Sequence, residues 1–132
     1  MNVITKIGTV SSISYTSRQV TEEIKEELLS FMLEYSAGKT VAVKCHDDRL
    51  VNEIRGKLKD GDKVTVIGLL KESEFSIDED TVIRGVCILT EDDTVYPKYF
   101  GKDLALKYRQ QELNMQELLK VSEQFADEDD PF

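Results

Sequence analysis

The chain has 132 residues and a mass of 15.0 kDa, which allows one domain with short appendages. Its 26 acidic and 17 basic side chains give a net charge of −9, which argues against a strongly basic phosphate-binding protein, because phosphate contacts depend on Lys and Arg. No run approaches the roughly 18 apolar residues of a membrane span, and the two cysteines lack close metal-ligand spacing.

The negative charge is concentrated near the C-terminus. Glu123 and the four acids of 127–130 carry five of the nine net negative charges, which leaves −4 for the rest of the chain and all 17 bases within it. The body is therefore mildly acidic rather than basic.

The first residues and the two cysteines indicate the cellular compartment. Residues 1–6 lack the basic leader and long apolar run of a signal peptide, so we expect a cytoplasmic protein without membrane contact. Cys45 and Cys87 lie in β-like runs and are expected as small buried hydrophobes in a reducing environment.

Apolar alternation predicts three strands in the N-terminal part. Residues 2–16 form the first, with Gly8 marking a bulge or bend. Residues 20–35 fit both a helical stripe and a strand alternation. The turn at 36–39 and the apolar run 40–45 favour a hairpin, so we predict a strand over 28–35, with a helical turn before it as an alternative.

Two helices and two more strands follow. Leu50, Ile54 and Leu58 predict a helix over 48–59, capped by Asp47 or Asp48 and ended by Gly61. Residues 64–70 and 81–90 read as strands, joined by the acidic connection 71–80, and 91–100 reads as a linker. A second helix is predicted over 103–125, with an apolar stripe of Leu104, Tyr108, Met115, Leu118 and Leu119.

This element order predicts an all-β fold with accessory helices. Five strands with one helix between the third and fourth are the order of a five-stranded OB-fold barrel. We therefore expect an OB-fold domain over 1–100, a C-terminal helical segment over 101–125 and an acidic tip over 126–132. The C-terminal helix could pack on the barrel, form an oligomer contact or stand as a stiff spacer.

The tip ends in Asp129, Asp130, Pro131 and Phe132. A terminal ring beside a run of acids cannot enter a core without drawing those charges out of water. An apolar tip on an acidic tether fits a partner with an apolar pocket and a basic rim. The alternative is a solvated acidic tail.

This ending resembles the acidic tip of bacterial single-stranded DNA-binding proteins, in which several Asp residues precede Pro-Phe. Residues 40–71 and 1–8 are also similar to that family, so the resemblance covers about 1–90 loosely and 127–132 closely. It implies a non-enzymatic protein without cofactor that coats single-stranded DNA and recruits replication, recombination or repair enzymes through Asp129, Asp130, Pro131 and Phe132.

The resemblance also implies a homo-oligomer, since the family commonly forms tetramers. The divergence and short length fit a protein of a phage or plasmid.

OB-folds bind nucleic acids on strands 2 and 3 and on the 1–2 and 4–5 loops. Binding without sequence preference needs aromatic faces for bases and cations for phosphates. The candidate side chains are Tyr15, Arg18, Phe31, Tyr35, Lys39, Lys44, Lys71, Phe75 and Arg84. For Phe31 and Tyr35 the alternative is packing in the core.

Two departures from the family favour a second hypothesis. The chain has no Trp, and the 4–5 loop carries acids at 72, 74 and 78–80, which repel phosphate. The alternative is an OB-fold interaction protein with little DNA binding that engages the same enzymes through its tip. An enzyme is not expected, because no nucleophile–base pair or metal cluster can be assembled around the single histidine, His46.

Overall fold

The structure, a computed structural model, describes residues 3–70 and 82–128, with side chains as far as residue 122. The elements are β1 (Val3–Gln19), β2 (Lys25–Ser36), β3 (Lys39–Cys45), α1 (Asp48–Ile54), β4 (Lys63–Leu70), β5 (Val82–Thr90), β6 (Val95–Tyr96) and α2 (Lys102–Glu128). A single 3₁₀ turn over Lys98–Phe100 joins β6 to α2.

Strands β1 to β5 close into a barrel. The hydrogen-bonded order is β3-β2-β1-β4-β5, and a parallel pairing of β3 with β5 joins the two ends. With α1 between β3 and β4, this confirms the predicted OB-fold barrel. The expected linker 91–100 is more ordered than predicted, because β6 pairs with β5 through Ile88 and Leu89.

β1 is long because it takes part in both halves of the barrel. Residues 3–9 pair with β4, and residues 9–19 pair with β2. The register shifts between Ser11 and Ser14, where Ser12 has a φ of 56°. The bulge predicted at Gly8 is therefore at Ser12. Gly8 is needed for a different reason, because a Cβ there would overlap the carbonyl oxygen of Glu34.

β2 resolves the ambiguity of residues 20–35 in favour of a strand. The helical turn considered before it is wrong, because Val20–Ile24 instead forms a tight turn. In that turn the Val20 N–H donates to the Ile24 carbonyl at 2.9 Å. The Thr21 hydroxyl accepts a hydrogen bond from the Ile24 N–H at 3.0 Å, which fixes the turn before β2 begins.

α1 packs a fully buried face, formed by Leu50, Val51 and Ile54, into the barrel core. Asp47 is the N-cap, and its Oδ1 accepts from the backbone N–H groups of Arg49 and Leu50 at 2.8 Å and 3.2 Å. The predicted helix over 48–59 is too long. It ends at Ile54, and Gly56, at a φ of 79°, turns the chain well before Gly61.

α2 packs its first turns on the outside of the barrel. Ala105 joins a second apolar cluster with Ile67, Cys87 and Leu89, and the Arg109 guanidinium lies 2.7 Å from an Asp93 oxygen. Of the three roles considered for this helix, packing on the barrel is therefore confirmed for its N-terminal part. Of the apolar stripe predicted from the sequence, Tyr108 packs on this cluster, whereas Leu104, Met115, Leu118 and Leu119 are exposed.

Within the described ranges, no helix has the combination of length and apolar character needed to cross a membrane.

The charge of Asp47 should make the stability of the barrel depend on pH. Burial disfavours the ionised form, but the hydrogen bonds from Tyr99 and from the Leu50 and Arg49 N–H groups prevail and lower the pKa of Asp47. Asp47→Asn keeps an acceptor oxygen but loses the charge at the helix N-terminus. We expect a loss of about 0.3–1 kcal/mol in the free energy of unfolding at pH 7.

A carboxyl with a lowered folded pKa stabilises fully above its unfolded pKa, about 4, and this contribution is lost as the pH falls through the folded pKa. Urea unfolding at pH 7 and near pH 2.5 should therefore show the difference between wild type and Asp47→Asn shrinking in acid. A difference that stays constant across this range would show that the cap does not depend on the charge.

Candidate nucleic-acid interface

The outer face of the barrel brings two cations together at its closure. Lys44 is in register with Ser30 on β2 and with Arg84 on β5. Residues in register on neighbouring strands point to the same side of a sheet, and the Lys44 and Arg84 side chains are both exposed. The parallel pairing of β3 and β5 therefore places these two cations side by side.

The two cations line a shallow depression of about 510 Å³. The other residues of its lining are Glu26, His46, Leu69, Leu70 and Val82. Positive charge over an apolar floor suits a single nucleic-acid strand, since cations attract phosphates and apolar side chains pack against sugars and bases.

Glu26 places a negative charge on this same face. Its Oε2 accepts a hydrogen bond from the Arg18 guanidinium at 2.6 Å, and its Oε1 lies 3.5 Å from His46 Nδ1. The hydrogen bond and the charge of Arg18 lower the pKa of Glu26. The carboxylate is therefore ionised at neutral pH, and it engages one of the cations predicted to contact phosphate.

Tyr15, Phe31 and Tyr35, three of the predicted aromatic residues, lie on the other side of the strands. Phe31 is 2% exposed and belongs to the core. Tyr15 is in register with the buried Leu29, and the Arg55 guanidinium lies 4.9 Å from its ring centroid. The Tyr35 ring packs against the core, with Lys6 Nζ 4.8 Å from its centroid. The structure thus separates these rings from the face that carries Lys44.

The remaining predicted residues are dispersed. Lys39 is exposed, but it begins β3 in the hairpin with Ser36, away from the level of Lys44. Lys71 and Phe75 lie outside the described residues, as do Asp129, Asp130, Pro131 and Phe132. Of the nine candidates, the structure brings together Lys44 and Arg84, and it places Arg18 beside Glu26 at the edge of the depression.

Tyr99 is an exposed aromatic residue in the stretch 91–100, which was predicted as a linker. Its side chain is 57% exposed, its hydroxyl donates to Asp47 Oδ2, and the Arg49 guanidinium lies 5.4 Å from its ring centroid. The hydrogen bond to Asp47 raises the pKa of Tyr99. Because Asp47 lies two residues beyond the end of β3, Tyr99 stands near the end of the strand that carries Lys44.

His46, Glu26 and Tyr99 were not predicted as site residues, and the sequence patterns that could have identified them differ. His46 lies two residues beyond Lys44, and Glu26 lies four before Ser30, so strand alternation alone could have placed both on this face. The position of Tyr99 depends on a contact with Asp47, 52 residues earlier in the chain. No local pattern in the sequence reports that contact.

The geometry gives no support to metal or thiol chemistry in the part of the chain that the structure describes. No group of three or more His, Cys, Asp or Glu side chains is close enough to hold a metal ion among residues 3–70 and 82–122. Cys45 and Cys87 are fully buried, and burial raises the pKa of each thiol to about 12. Both behave as small apolar core residues.

The fold is similar to that of bacterial single-stranded DNA-binding proteins. The second single-stranded DNA-binding protein of Mycobacterium smegmatis aligns over 67% of this chain and 87% of its own, with 20% identity and a TM-score of 0.50. The small single-stranded DNA-binding protein of Streptomyces coelicolor aligns over 69% of this chain and 95% of its own, with 19% identity and a TM-score of 0.45. No protein-family model matches the chain, and no curated protein does either. At this level of identity the first likeness shows a shared fold.

Removing the charge of Glu26 should strengthen the attraction of this face for phosphate. Glu26→Gln deletes the anion and frees Arg18. We expect tighter binding of an oligo-dT strand, and a salt dependence of log K steeper by about 0.7 if Arg18 gains one phosphate contact. Fluorescence-anisotropy titrations at several salt concentrations measure both quantities.

Glu27→Gln is the matched control, because it changes the net charge equally. Glu27 pairs instead with Arg55 at 2.9 Å, and we expect little change in affinity. An equal gain for both variants would mean that the total charge, and not this face, governs the association.

Proposed function

We propose that the protein binds single-stranded DNA without sequence preference, as a divergent member of the bacterial single-stranded DNA-binding class. The observation that carries this proposal is the exposed Lys44–Arg84 pair above the apolar floor of Leu69, Leu70 and Val82. The OB-fold barrel supports it, because this fold presents such strands to oligonucleotides.

In this proposal Lys44 and Arg84 bind successive phosphates of one strand. The sugars and bases pack on the aliphatic side chains between them, and the Arg84 guanidinium offers a flat cation for stacking. Tyr99 takes over the stacking role first considered for Phe31 and Tyr35, because its ring is exposed and theirs are packed against the core.

The overall acidity of the chain is compatible with this local attraction. Exposed charges further apart than a Debye length, about 8 Å at physiological salt, are largely screened, so the charges near the face matter more for phosphate attraction than the net charge of the chain. The negative charge that directly opposes phosphate binding is that of Glu26, which lies in the same depression.

The C-terminal tip supplies the second part of the proposal. We infer that Phe132 enters an apolar pocket on a DNA replication, recombination or repair enzyme, while its carboxylate, Asp129 and Asp130 meet cations at the rim. The support is the composition of the tip, in which an apolar terminus follows a run of acids.

A second candidate function is an interaction protein that engages the same enzymes but binds little DNA. The observation that favours it is the pairing of Arg18 with Glu26, which neutralises one of the cations of the candidate face. The inward position of Phe31 also favours it, because base stacking there is lost.

Replacing both Lys44 and Arg84 by Ala separates the two candidates. If both contact phosphate, the slope of log K against log salt should fall by about 1.4, at 0.7 for each phosphate on a single strand. Affinity for oligo-dT at low salt should fall in parallel. Both side chains are exposed, so the barrel should stay folded by circular dichroism.

Lys102→Ala, a change at an exposed lysine that begins α2, is the control and should leave the slope unchanged. Unchanged binding by the double variant would refute this site. If the parent protein also fails to bind oligo-dT at low salt, the interaction-protein candidate replaces DNA binding.

Deleting Phe132 should abolish capture of the partner enzyme and leave the barrel folded. The loss of a buried aromatic anchor typically costs about 2 kcal/mol or more, whereas a rim charge mainly affects the association rate and its salt dependence. A pull-down with the full chain and with the chain lacking Phe132 measures the effect. Oligo-dT binding should survive the deletion.

Asp129→Ala and Asp130→Ala are the companion variants, and each should weaken capture less than the deletion does. If the shortened chain retains every partner of the full chain, the tip is a solvated acidic tail.

A further inference from the structure

His46 is a titratable side chain in the lining of the Lys44–Arg84 depression, and the phosphate contacts proposed for the two cations leave it without a role. It lies directly after β3 and two residues beyond Lys44, so strand alternation turns it to the same side of the sheet. Its side chain is 37% exposed, so both water and a bound polymer can reach it. His46 is also the single histidine of the chain.

The imidazole of His46 faces the carboxylate of Glu26. His46 Nδ1 lies 3.5 Å from Glu26 Oε1, while the Arg18 guanidinium holds the other oxygen, Oε2, at 2.6 Å. The three side chains thus form one cluster in which the carboxylate lies between a guanidinium and an imidazole. Arg18 and, to a smaller extent, His46 lower the pKa of Glu26, so this carboxylate is ionised at neutral pH.

The other charged groups beside His46 are two cations of the depression and two acids at the start of α1, namely Lys44, Arg84, Asp47 and Asp48. Hydrogen bonds engage both acids elsewhere. Asp47 accepts from the first N–H groups of α1 and from Tyr99, and Asp48 Oδ1 accepts from the Glu27 N–H at 3.3 Å. Among the described residues, Glu26 is therefore the carboxylate that His46 meets.

A proton on His46 changes the net charge of the depression. With a neutral imidazole, the lining holds two cations, Lys44 and Arg84, and one anion, Glu26, which gives a net charge of +1. Protonation of His46 adds one positive charge and raises the net charge to +2. A phosphate in the depression favours the protonated imidazole, and by reciprocity the protonated imidazole favours phosphate.

Histidine is the side-chain type whose charge ordinarily changes between about pH 5 and 8. The ordinary pKa values of Asp and Glu lie near 4 and those of Tyr and Lys near 10. Burial raises the pKa of the Cys45 and Cys87 thiols to about 12. An α-amino group, with an ordinary value of about 8, is the other group that titrates in this range. A pH dependence that a change of His46 removes can therefore be assigned to this one side chain.

We propose, on the basis of the proposed function, that His46 is a third and conditional cation of the Lys44–Arg84 face, so that single-stranded DNA binds with uptake of a proton. The Glu26 carboxylate stabilises the imidazolium, and the imidazolium offsets the negative charge that opposes phosphate. The face therefore holds a single strand more tightly in mildly acidic than in mildly alkaline solution.

Fluorescence-anisotropy titrations with oligo-dT near pH 6 and near pH 8, at one low salt concentration, test this coupling. The parent protein should bind about threefold to fivefold more tightly near pH 6, which is the size expected for one added charge contact in water. His46→Gln should bind at both pH values as weakly as the parent does near pH 8. His46→Lys, which carries a permanent charge, should bind near pH 8 about as tightly as the parent does near pH 6.

A relocated histidine is the matched control. His46→Gln combined with Gln111→His keeps the number of titratable groups but moves the imidazole to an exposed position of α2, none of whose described residues lines the depression. This double variant should bind oligo-dT equally near pH 6 and near pH 8. If it regains the pH dependence of the parent, the effect does not depend on the place of the imidazole, and the inference is overturned.

Calorimetric titration near pH 7, in two buffers of different ionisation enthalpy, counts the protons directly. The parent should take up a fraction of one proton per bound chain, and His46→Gln should take up less. Equal affinity of the parent near pH 6 and near pH 8 would overturn the inference and leave the proposed function standing. A pH dependence that persists in His46→Gln would also overturn it, because another group would then carry it. If the parent fails to bind oligo-dT near either pH, the proposed function fails and this inference falls with it.

Discussion

The parallel pairing of β3 with β5 is the interaction on which both the barrel and its candidate site depend. It aligns Val43 with Ile83, both fully buried, and in the next position Lys44 with Arg84, both exposed. Because side chains alternate along a strand, a slip of one residue would turn the apolar pair outward and the cations inward. The burial of Val43 and Ile83 thus fixes the register that keeps Lys44 and Arg84 next to each other.

Two neighbouring cations on an exposed sheet repel each other, although water weakens this to about 1 kcal/mol at 4 Å. The long side chains can diverge, so the pair does not threaten the fold, but an anion between them relieves the repulsion. A phosphate group can serve as this anion, and so can an internal carboxylate. Glu26 lies in the same depression. Its carboxylate already pairs with Arg18 and contacts His46, so it is engaged by these two residues and not by the Lys44–Arg84 pair. In the proposed function, the balance between this carboxylate and an incoming phosphate sets how strongly the face attracts nucleic acid.

Much of the fold followed from local patterns. Alternating apolar residues and short turns identified β1 to β5, and the four-residue spacing of Leu50 and Ile54 identified α1. The end of α1 was misplaced because two glycines could stop the helix. Both have a positive φ, 79° at Gly56 and 94° at Gly61, and the helix ends before the nearer one. The packed side of α2 was hidden for another reason. Its contact with the barrel relies on Ala105, on Leu106 and Tyr108 beside it, and on the ion pair of Arg109, whereas most of the leucines of the predicted stripe are exposed.

Local sequence patterns predict only part of the candidate site. The alternation that marked β2 as a strand also places Phe31 on the side of Leu29 and Leu33, so its burial was implicit in the pattern. The pairing of Lys44 with Arg84 depends instead on the register between strands far apart in sequence, as does the contact of Tyr99 with Asp47. Composition and spacing do not encode such registers. The roles of Lys71, Phe75 and the residues of the tip stay predictions.

The position of α2 also limits the path of a polymer across the barrel. The helix covers the outer surface of β4 and β5 at Ile67, Cys87 and Leu89. If the proposed function holds, a nucleic-acid strand passes over the Lys44–Arg84 side but cannot encircle the barrel along that covered surface. The footprint of one chain would then be set by the width of a single face, and the occluded length per protomer would be short. Longer footprints would have to come from neighbouring protomers laid end to end along the strand.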